Sequence, residues 1–427
     1  MDQLGAAQGQ QMAVLYAAPH AKRNSDSQYE YRTCSYFYYL TGVAEPEAAA
    51  IFLPGADVPY RLFVMPKDPE REMWEGRRLG VEGARAVFLA DETLSIADFD
   101  RVFQECLGKS EQLWFPLGEW PEWDERILRA VRNHHPNPRR GEKEFRGVQK
   151  AQEILGRMRL VKDASEIDLL RRNGANSALA HRRAMEATRP GLFEYEVEAE
   201  IEYWFRKGGA EDLAYPSIVA GGNNATVLHY KTNRDRLKDG TLLLIDAGGE
   251  MGHYASDITR TFPVSGKFTK AQRDIYEIVL RANKEAIALV RPGVRFHEIH
   301  DRATEVLLTG LFELGLLKED PAAVARDAKK RMIWYPHNTS HWLGLDVHDT
   351  GRYHLPSGES VPLEEGYVFT VEPGIYIGEE RMDVPAEYRG IGIRIEDDVL
   401  VTASGHEVLT RDCPKEVAEL EGIVGRG

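Results

Sequence analysis

The clearest hydrophobic pattern in the chain lies between residues 242 and 262. The apolar run 242–245 has the composition of a buried strand, and 257–262 alternates apolar and polar residues as a half-buried strand does. The stretch between them is rich in glycine, which permits tight turns. The pattern therefore predicts a β-hairpin, with its turn centred on Met251 and Gly252.

The predicted hairpin brings two acidic residues together. With that turn, Asp246 lies directly opposite Asp257, and opposed residues point to the same face with Cβ atoms about 4.5–5.5 Å apart. Two like charges at that distance destabilise a sheet unless a cation lies between them. The pair therefore predicts a metal site, and the alternative is two solvated aspartates on an exposed strand.

The remaining pattern of the second half alternates long helices with strands. Apolar spacing and turn residues predict helices at 164–187, 194–207, 270–290 and 297–314. Further strands are predicted at 217–220, 226–229, 367–377 and 390–401. Asp163 and Ser165 are candidate N-caps for the first of these helices.

The first part of the chain has shorter elements. Apolar runs at 14–16, 49–53 and 60–64 predict strands, and 95–106 and 123–133 predict helices, which together indicate an α/β layer. Residues 147–162 look helical. We place the domain boundary near Leu160, which gives an N-terminal domain of 1–160 and a C-terminal domain of 161–427.

Composition narrows the choice of partners and compartment. The 427 residues contain 43% hydrophobic and 29% charged side chains, and the net charge of −14 disfavours nucleic acid or an anionic membrane as a partner. The three cysteines, Cys34, Cys106 and Cys413, are too far apart for a Cys-x-x-Cys motif. We find no signal-peptide pattern and no apolar stretch near the roughly 20 residues that span a bilayer. The sequence predicts a cytoplasmic protein.

Three later positions add side chains that can bind a metal. His341 lies in a segment with three histidines, 337–348, and Glu372 ends an apolar strand. Glu396 occurs in a strand where Ile391, Ile393 and Ile395 share the other face. A carboxylate inside an apolar strand costs several kcal/mol unless it is paired or bound to a metal. A salt bridge for Glu396 and a surface charge for Glu372 are the alternatives.

Two aspartates, two glutamates and one histidine form a set of mostly hard oxygen donors. Such a set suits two divalent ions, Mn²⁺, Co²⁺ or Zn²⁺, that share bridging carboxylates. Two metals about 3.5–4 Å apart can hold a bridging water, lower its pKa and polarise a carbonyl. The reaction class that this chemistry predicts is hydrolysis.

The order of these motifs resembles the pita-bread metallopeptidases, a family that includes methionine aminopeptidase, prolidase and aminopeptidase P. Asp246, Asp257, His341, Glu372 and Glu396 match the five metal ligands of that family in order and context. The resemblance covers about residues 160–410. It is strongest to the aminopeptidase P group, through SHWLGLDVHD at 340–349, DITRTFP at 257–263 and WEGRRLG at 74–80.

The resemblance implies an α+β fold. The C-terminal domain would have the pita-bread (creatinase/aminopeptidase) fold, preceded by a smaller α/β domain like that of aminopeptidase P. Methionine aminopeptidase lacks such an N-terminal domain. The resemblance also implies two divalent ions, with Mn²⁺ first, and hydrolysis of the N-terminal Xaa-Pro bond by a metal-bridging hydroxide.

The resemblance further implies roles for individual side chains. His229 would hold the substrate near its N-terminal side, His348 would contact the scissile carbonyl or oxyanion, and Glu372 would act as both ligand and proton shuttle. Without the resemblance, His229 would be interpreted as a core histidine on a strand. The pocket for proline would be shaped by His337, Tyr376 and Arg394, although His337 and His348 could equally orient metal ligands.

Several alternatives remain open at this stage. A prolidase would act only on Xaa-Pro dipeptides, and either Arg352 or Arg394 could pair with the free carboxylate of such a substrate. A creatinase-like hydrolase without metals and a non-catalytic binding module share the fold, but all five ligands are present. The segment 352–364 departs from the family's pattern, at the rim of the substrate pocket.

The sequence also predicts self-association. By resemblance the chain would form a homotetramer or a homodimer, with the N-terminal domain providing much of the contact. Met73 and Trp74 lie within a run of charged residues, and a tryptophan in such a setting often anchors an interface. A Trp74 packed within its own domain is the alternative.

Overall fold

The computed structural model describes residues 10–426, and the chain divides into two compact units, one ending at Met158 and the other beginning at Arg159. The first unit contains eight strands within the described residues. They are β1 (Gln11–Tyr16), β2 (Lys22–Asn24), β3 (Ser27–Gln28), β4 (Ala49–Phe52), β5 (Tyr60–Val64), β6 (Glu92–Ser95), β7 (Gln112–Phe115) and β8 (Gly147–Lys150). Six α-helices begin in this unit: α1 (Ser35–Thr41), α2 (Pro69–Glu75), α3 (Gly80–Val87), α4 (Phe99–Leu107), α5 (Pro121–Arg132) and α6 (Gln152–Leu160).

One mixed sheet forms the centre of the first unit, with strand order β6-β5-β4-β1-β7-β8. Central strand β1 is buried along its whole length, because its alternate side chains enter two different cores. Val14 packs with Phe99 and Ile127, whereas Leu15 packs with Phe37 and Ala84. Helices therefore cover both faces, as the α/β prediction requires.

The second unit begins with two helices and a set of short strands. The elements are α7 (Ala164–Ala187), α8 (Glu194–Lys207), β9 (Asp212–Leu213), β10 (Ile218–Gly221), β11 (Leu242–Asp246), β12 (Gly249–Met251), β13 (Tyr254–Ala255) and β14 (Thr259–Pro263). The remainder has the same arrangement of helices before strands: α9 (Lys270–Ala288), α10 (Phe296–Glu313), α11 (Pro321–Arg326), α12 (Ala328–Met332), β15 (Val368–Val371), β16 (Gly374–Ile377), β17 (Ile391–Arg394), β18 (Asp397–Thr402), β19 (Gly405–Val408) and α13 (Val417–Ile423).

Helices α7 and α8 pack against each other, as do α9 and α10, and their apolar faces cover the strands. The bounds predicted for α7 and α8 are confirmed to the residue. Asp163 begins α7 with a capping box, in which its carboxylate accepts from the Glu166 N–H at 3.0 Å and the Glu166 carboxylate accepts from the Asp163 N–H at 2.7 Å.

The predicted hairpin forms, but its register differs from the prediction. Asp246 pairs with Thr259, not with Asp257. Gly252 and His253 occupy the turn with φ of 56° and 64°, the conformation of a type I′ turn, so the turn is centred one residue later than predicted. A turn displaced by one residue moves the pairing by two. Because side chains alternate with period two, Asp246 and Asp257 still belong to the same face.

Four other predicted elements differ from the structure. The predicted strand 226–229 is absent, and Gly222–Thr226 forms a 3₁₀ turn instead. Residues 147–162 begin with strand β8 before helix α6. The strand 367–377 breaks at Pro373, which has no N–H to donate. The strand 390–401 breaks at Glu396, whose N–H donates to the Thr259 carbonyl at 3.0 Å.

The three cysteines are buried, and none of them forms a disulfide. Among residues 10–426, no helix is both long enough and apolar enough to cross a membrane.

Candidate active site

A cavity of about 770 Å³ in the second unit collects most of the side chains predicted to be functional. Nine of them line it: His229, Asp246, Asp257, His337, His341, His348, Glu372, Arg394 and Glu396. The tenth, Tyr376, reaches the same group through hydrogen bonds to His337 and Arg394.

Backbone hydrogen bonds fix the relative positions of the candidate metal ligands. The Thr370 N–H donates to the His341 carbonyl at 3.0 Å, and the Glu372 N–H donates to the Thr339 carbonyl at 2.8 Å. These bonds join the His341 segment to the strand that ends at Glu372. On the other side, the Thr259 hydroxyl donates to the Glu396 carboxylate at 2.7 Å, which ties Glu396 to the hairpin.

A row of polar side chains on helix α7 holds the hairpin from behind. Asn173, Ser177 and His181 are four residues apart, so they share one helix face, and all are fully buried. Asn173 Nδ2 donates to the Gly249 carbonyl at 2.7 Å, and Ser177 Oγ accepts from the Gly249 N–H at 3.2 Å. His181 Nε2 donates to the Ala247 carbonyl at 2.9 Å. The row was missed, although polar residues at this spacing on a buried helix were a visible signal.

The candidate ligand atoms converge. One ligand atom each from Asp257, His341 and Glu396 lie within 4.8 Å of one another. His341 Nε2 is 3.4 Å from Asp257 Oδ2 and 3.8 Å from Glu372 Oε1. His341 Nδ1–H donates to the Trp342 carbonyl at 3.1 Å, which leaves Nε2 directed at the carboxylates.

The candidate ligands bring four carboxylates close together with few cationic side chains, which fits a site for divalent cations. Burial, followed by repulsion from Asp257 and other carboxylates, raises the pKa of Glu396 well above its usual value. Burial also raises the pKa of Glu372 to about 7. Burial lowers the pKa of His341, but Asp257 and Glu372 outweigh it and raise the value to about 9. Buried carboxylates with so few cations are stabilised by metal ions, and this donor set suits hard or borderline divalent ions.

A chain of hydrogen bonds joins the three predicted substrate-binding residues to Asp246, one of the candidate metal ligands. Arg394 donates to the Asp246 carboxylate and, at 3.0 Å, to the Tyr376 hydroxyl. That hydroxyl donates to His337 Nε2 at 2.8 Å, while His337 Nδ1–H donates to the Asn338 carbonyl at 2.8 Å. Burial and the positive charge of Arg394 lower the pKa of His337 to about 3, so this imidazole is neutral.

Tyr215 is a site residue that the sequence did not reveal. Its hydroxyl is 2.7 Å from Asp246 Oδ1 and also bonds to Asp257, and its ring lines the cavity. Burial and the two carboxylates raise the pKa of Tyr215 well above its usual value, so the hydroxyl keeps its proton and donates a hydrogen bond to one of the aspartates. The pairing of Ile218 with Asp246 brings it there, and no local pattern in the sequence marks that contact.

Two further histidines lie farther along the cavity. The His348 ring centroid is 4.4 Å from that of His341, and burial together with the charge of His341 lowers the pKa of His348. His229 lies on an irregular loop rather than on a strand, and it is exposed. The prediction that it would otherwise be a core histidine was wrong.

The segment 352–364 borders the cavity, but its arginine, Arg352, does not line it. Tyr353, His354 and Ser360 line the cavity, whereas Arg352 is exposed and is not among the lining residues. Arg394 is buried and bonded to Asp246, Thr259 and Tyr376. Neither arginine therefore presents a free guanidinium to a substrate carboxylate.

Two protein-family models match the chain, one in each unit. The model of metallopeptidase family M24 matches residues 168–403, and the model of the aminopeptidase P N-terminal domain matches residues 1–114. The Xaa-Pro aminopeptidase of Haemophilus influenzae is 42% identical over 96% of this chain and 92% of its own length. The Escherichia coli Xaa-Pro aminopeptidase is 40% identical over 96% of this chain and 93% of its own.

Solved structures agree with the sequence comparisons. Aminopeptidase PepP of Pseudomonas aeruginosa has a TM-score of 0.95 at 44% identity, covering 99% of this chain and 95% of that one. An Escherichia coli aminopeptidase P variant in complex with substrate has a TM-score of 0.93 at 39% identity, covering 99% and 96%. The resemblance and fold class inferred from the motifs are confirmed. The chain belongs to metallopeptidase family M24, carries the N-terminal domain of the aminopeptidase P type, and is a metal-dependent aminopeptidase.

Proposed function

We propose that this enzyme removes the first residue from peptides whose second residue is proline, using the ten residues described above. The observation that carries the proposal is one cavity in which five ligand side chains adjoin the chain His337–Tyr376–Arg394. The relatives in Haemophilus influenzae and Escherichia coli are named Xaa-Pro aminopeptidases, and a solved Escherichia coli aminopeptidase P holds substrate.

Asp246, Asp257, His341, Glu372 and Glu396 would hold two divalent ions, with Mn²⁺ as first choice and Co²⁺ or Zn²⁺ as alternatives. The oxygen-rich donor set supports a hard ion, and a solved Escherichia coli aminopeptidase P is described as zinc-substituted. When bound, such ions lower the pKa of a water and polarise a carbonyl. Elemental analysis of protein purified without added metal tests both the identity and the number of ions.

The protein's own groups would move the protons. The Glu372 carboxylate, which lines the cavity beside His341, would accept a proton from water and pass it to the leaving proline nitrogen. His348, kept neutral by its lowered pKa, can donate a hydrogen bond to the oxyanion. His229 would contact the substrate from its exposed loop.

Selection for proline would come from the pocket next to Arg394. Hydrogen bonds lock the half-buried, neutral His337 ring and the buried Tyr376 ring, so the two rings present a rigid surface of fixed shape. A rigid pocket shaped for proline gains little from a smaller and more flexible residue. We therefore expect replacement of proline by alanine to remove most of the activity.

The decisive assay compares Xaa-Pro, Xaa-Pro-Ala and Xaa-Ala-Ala at saturating metal. We expect the proline tripeptide to have the highest kcat/KM, because Arg394 is already engaged and cannot also close the pocket around a dipeptide carboxylate. A clear preference for the dipeptide would make the protein a prolidase. Equal cleavage of the alanine peptide would make it a general aminopeptidase.

Self-association is proposed for the first unit. Met73 and Trp74 on α2 are 77% and 87% exposed, so Trp74 is not packed within its own domain. We propose a homotetramer or homodimer that covers these two side chains. Light scattering at micromolar concentration tests this: a monomer would refute it, and Trp74→Ser should weaken the assembly.

We also propose a cytoplasmic location. The three cysteines are buried and form no disulfide, which is compatible with a reducing compartment. Fractionation of cells that express a tagged protein is the test, and recovery outside the cytoplasmic fraction would contradict the proposal.

A further inference from the structure

The cavity has two strongly basic side chains in its lining, Arg394 and Lys231. The Arg394 guanidinium already donates hydrogen bonds to Asp246, Thr259 and Tyr376. The Lys231 side chain is exposed and makes no ion pair or hydrogen bond within residues 10–426. It is therefore the cation of this cavity that is available to a ligand.

The loop that carries Lys231 is anchored at both ends. The fully buried Glu194 carboxylate accepts four hydrogen bonds. Oε1 accepts from the Gly221 N–H at 2.8 Å and from Asn224 Nδ2 at 2.9 Å. Oε2 accepts from the Tyr230 hydroxyl at 2.9 Å and from the Asp235 N–H at 2.8 Å.

A second anchor lies just beyond the lysine. Asn233, at φ 47°, accepts from the Val219 N–H at 3.0 Å and donates to Glu198 and the Ser217 carbonyl, both at 2.8 Å. With Tyr230 and Asn233 both fixed, the backbone of Lys231 has little freedom. The Lys231 backbone is therefore held beside the cavity, while its exposed side chain stays free to reach a ligand there.

The direction of the substrate limits what this cation can bind. An aminopeptidase removes one residue, so the rest of the peptide must run outward from the buried ligands past the rim. The α-ammonium group of the substrate would be repelled by a lysine, whereas a carboxylate beyond the proline would be attracted. The other aspartate, glutamate, lysine and arginine side chains on the lining are the four carboxylates of the inner end and the engaged Arg394.

We propose that Lys231 is a specificity residue that binds a carboxylate on the part of the peptide downstream of proline. This inference rests on the proposed function and names the substrate class more closely. The carboxylate has two possible sources, the C-terminus of a tripeptide or an acidic side chain at the third position. Both present the same anionic oxygens to the ammonium group.

Two pairs of peptides separate these sources. Ala-Pro-Ala with a free C-terminus is compared with its C-terminal amide, and Ala-Pro-Glu amide is compared with Ala-Pro-Gln amide. We expect the acid member of one or both pairs to have about two- to fivefold higher kcat/KM, as for an exposed ion pair. The preference should decline as salt is raised from 0.05 to 0.5 M, since added salt screens it.

Substitutions then assign the preference to one side chain. Lys231→Met should abolish it and Lys231→Glu should reverse it, while cleavage of the neutral amides stays near the wild-type rate. The matched control is Lys238→Met, because Lys238 is also exposed on this segment but does not line the cavity. That variant should keep the wild-type ratio.

The outcomes are distinguishable from failure of the proposed function. Equal ratios in wild type and Lys231→Met, or no preference in either pair, would overturn the role of Lys231 while proline peptides are still cleaved. Absence of cleavage of every proline peptide by the metal-loaded wild type would refute the proposed function instead. A response in only one pair supports the inference and identifies the source of the carboxylate.

Discussion

The inner end and the rim of the cavity differ in how their polar side chains are held. At the inner end, Asp246 is contacted by Tyr215 and Arg394, and Glu396 by Thr259, all within buried surroundings. At the rim, His229, Lys231 and His354 are exposed. The groups proposed to bind metal ions are preorganised by hydrogen bonds, because a misplaced ligand loses affinity steeply. Groups that meet variable peptides keep their freedom, so substitutions should matter far less there.

The largest effect is expected at the inner end. Asp257→Asn and Glu396→Gln should each lower kcat by at least several orders of magnitude while the fold survives, since an amide cannot supply two anionic oxygens to the ions. Metal content measured by elemental analysis should fall in parallel. Asp239→Asn, at an exposed position, is the matched control. Near wild-type turnover and metal content in either variant would refute the ligand assignment.

His348 lies between the two regions and should give the next largest effect. His348→Ala should lower kcat about 100- to 1000-fold and change KM less, as expected for a hydrogen bond that strengthens in the transition state. Steady-state kinetics on a proline tripeptide measure both parameters. An unchanged kcat with a raised KM would make His348 a binding residue only.

The Tyr215 hydroxyl bonds to the two aspartates, so its removal should have an effect of intermediate size on metal binding. Tyr215→Phe keeps the ring and removes the hydroxyl, and we expect an approximately 10- to 100-fold weaker metal affinity. Titration of the metal-free protein with Mn²⁺ gives the affinity directly. If the affinity is unchanged, the bonds of Tyr215 to Asp246 and Asp257 do not orient them for metal.

The row of α7 side chains behind the hairpin makes stability depend on pH. Burial lowers the pKa of His181 to about 4, below the roughly 6.5 of an unfolded chain. The unfolded state therefore binds the extra proton first as pH falls. The stabilisation is complete above pH 6.5 and is lost between pH 6.5 and 4, by about 3 kcal/mol in total.

This dependence is measured by urea unfolding of the chelator-treated protein across that pH range. His181→Gln keeps a donor near the Ala247 carbonyl but does not titrate, so its stability should change less with pH. Parallel curves for the two proteins would show that His181 does not cause the loss.

The smallest effect is expected for a charge near the rim but outside the cavity. Arg352→Gln should change kcat/KM for dipeptides and tripeptides by less than about twofold, because an exposed charge contributes little. Parallel assays with both peptides provide the measurement. A fall in kcat/KM for dipeptides alone would show that Arg352 binds the substrate carboxylate. The rim would then differ less from the inner end than we expect.

Two predictions of strands show where sequence patterns lose information. The run 367–377 is apolar apart from Thr370 and Glu372, yet Pro373 ends its pairing and leaves Glu372 facing the cavity. The histidine at 229 follows a short apolar stretch, but Asn224 bonds to Glu194 and Asp235 and helps to fold that region into a turn. A proline signals its effect locally, whereas the partners of Asn224 are distant in the sequence.

The sequence by itself determined the long helices, the existence of the hairpin, and the five side chains whose chemistry and order indicate a metallopeptidase. These features depend on local periodicity and on residue type, which a chain displays in any conformation. Only the tertiary structure decided the hairpin register, the contacts of Tyr215 with both aspartates, and the choice of Lys231 over Arg352 as the free cation in the cavity. Each depends on which distant segments pack together, and packing is set by the whole core instead of by neighbours in sequence.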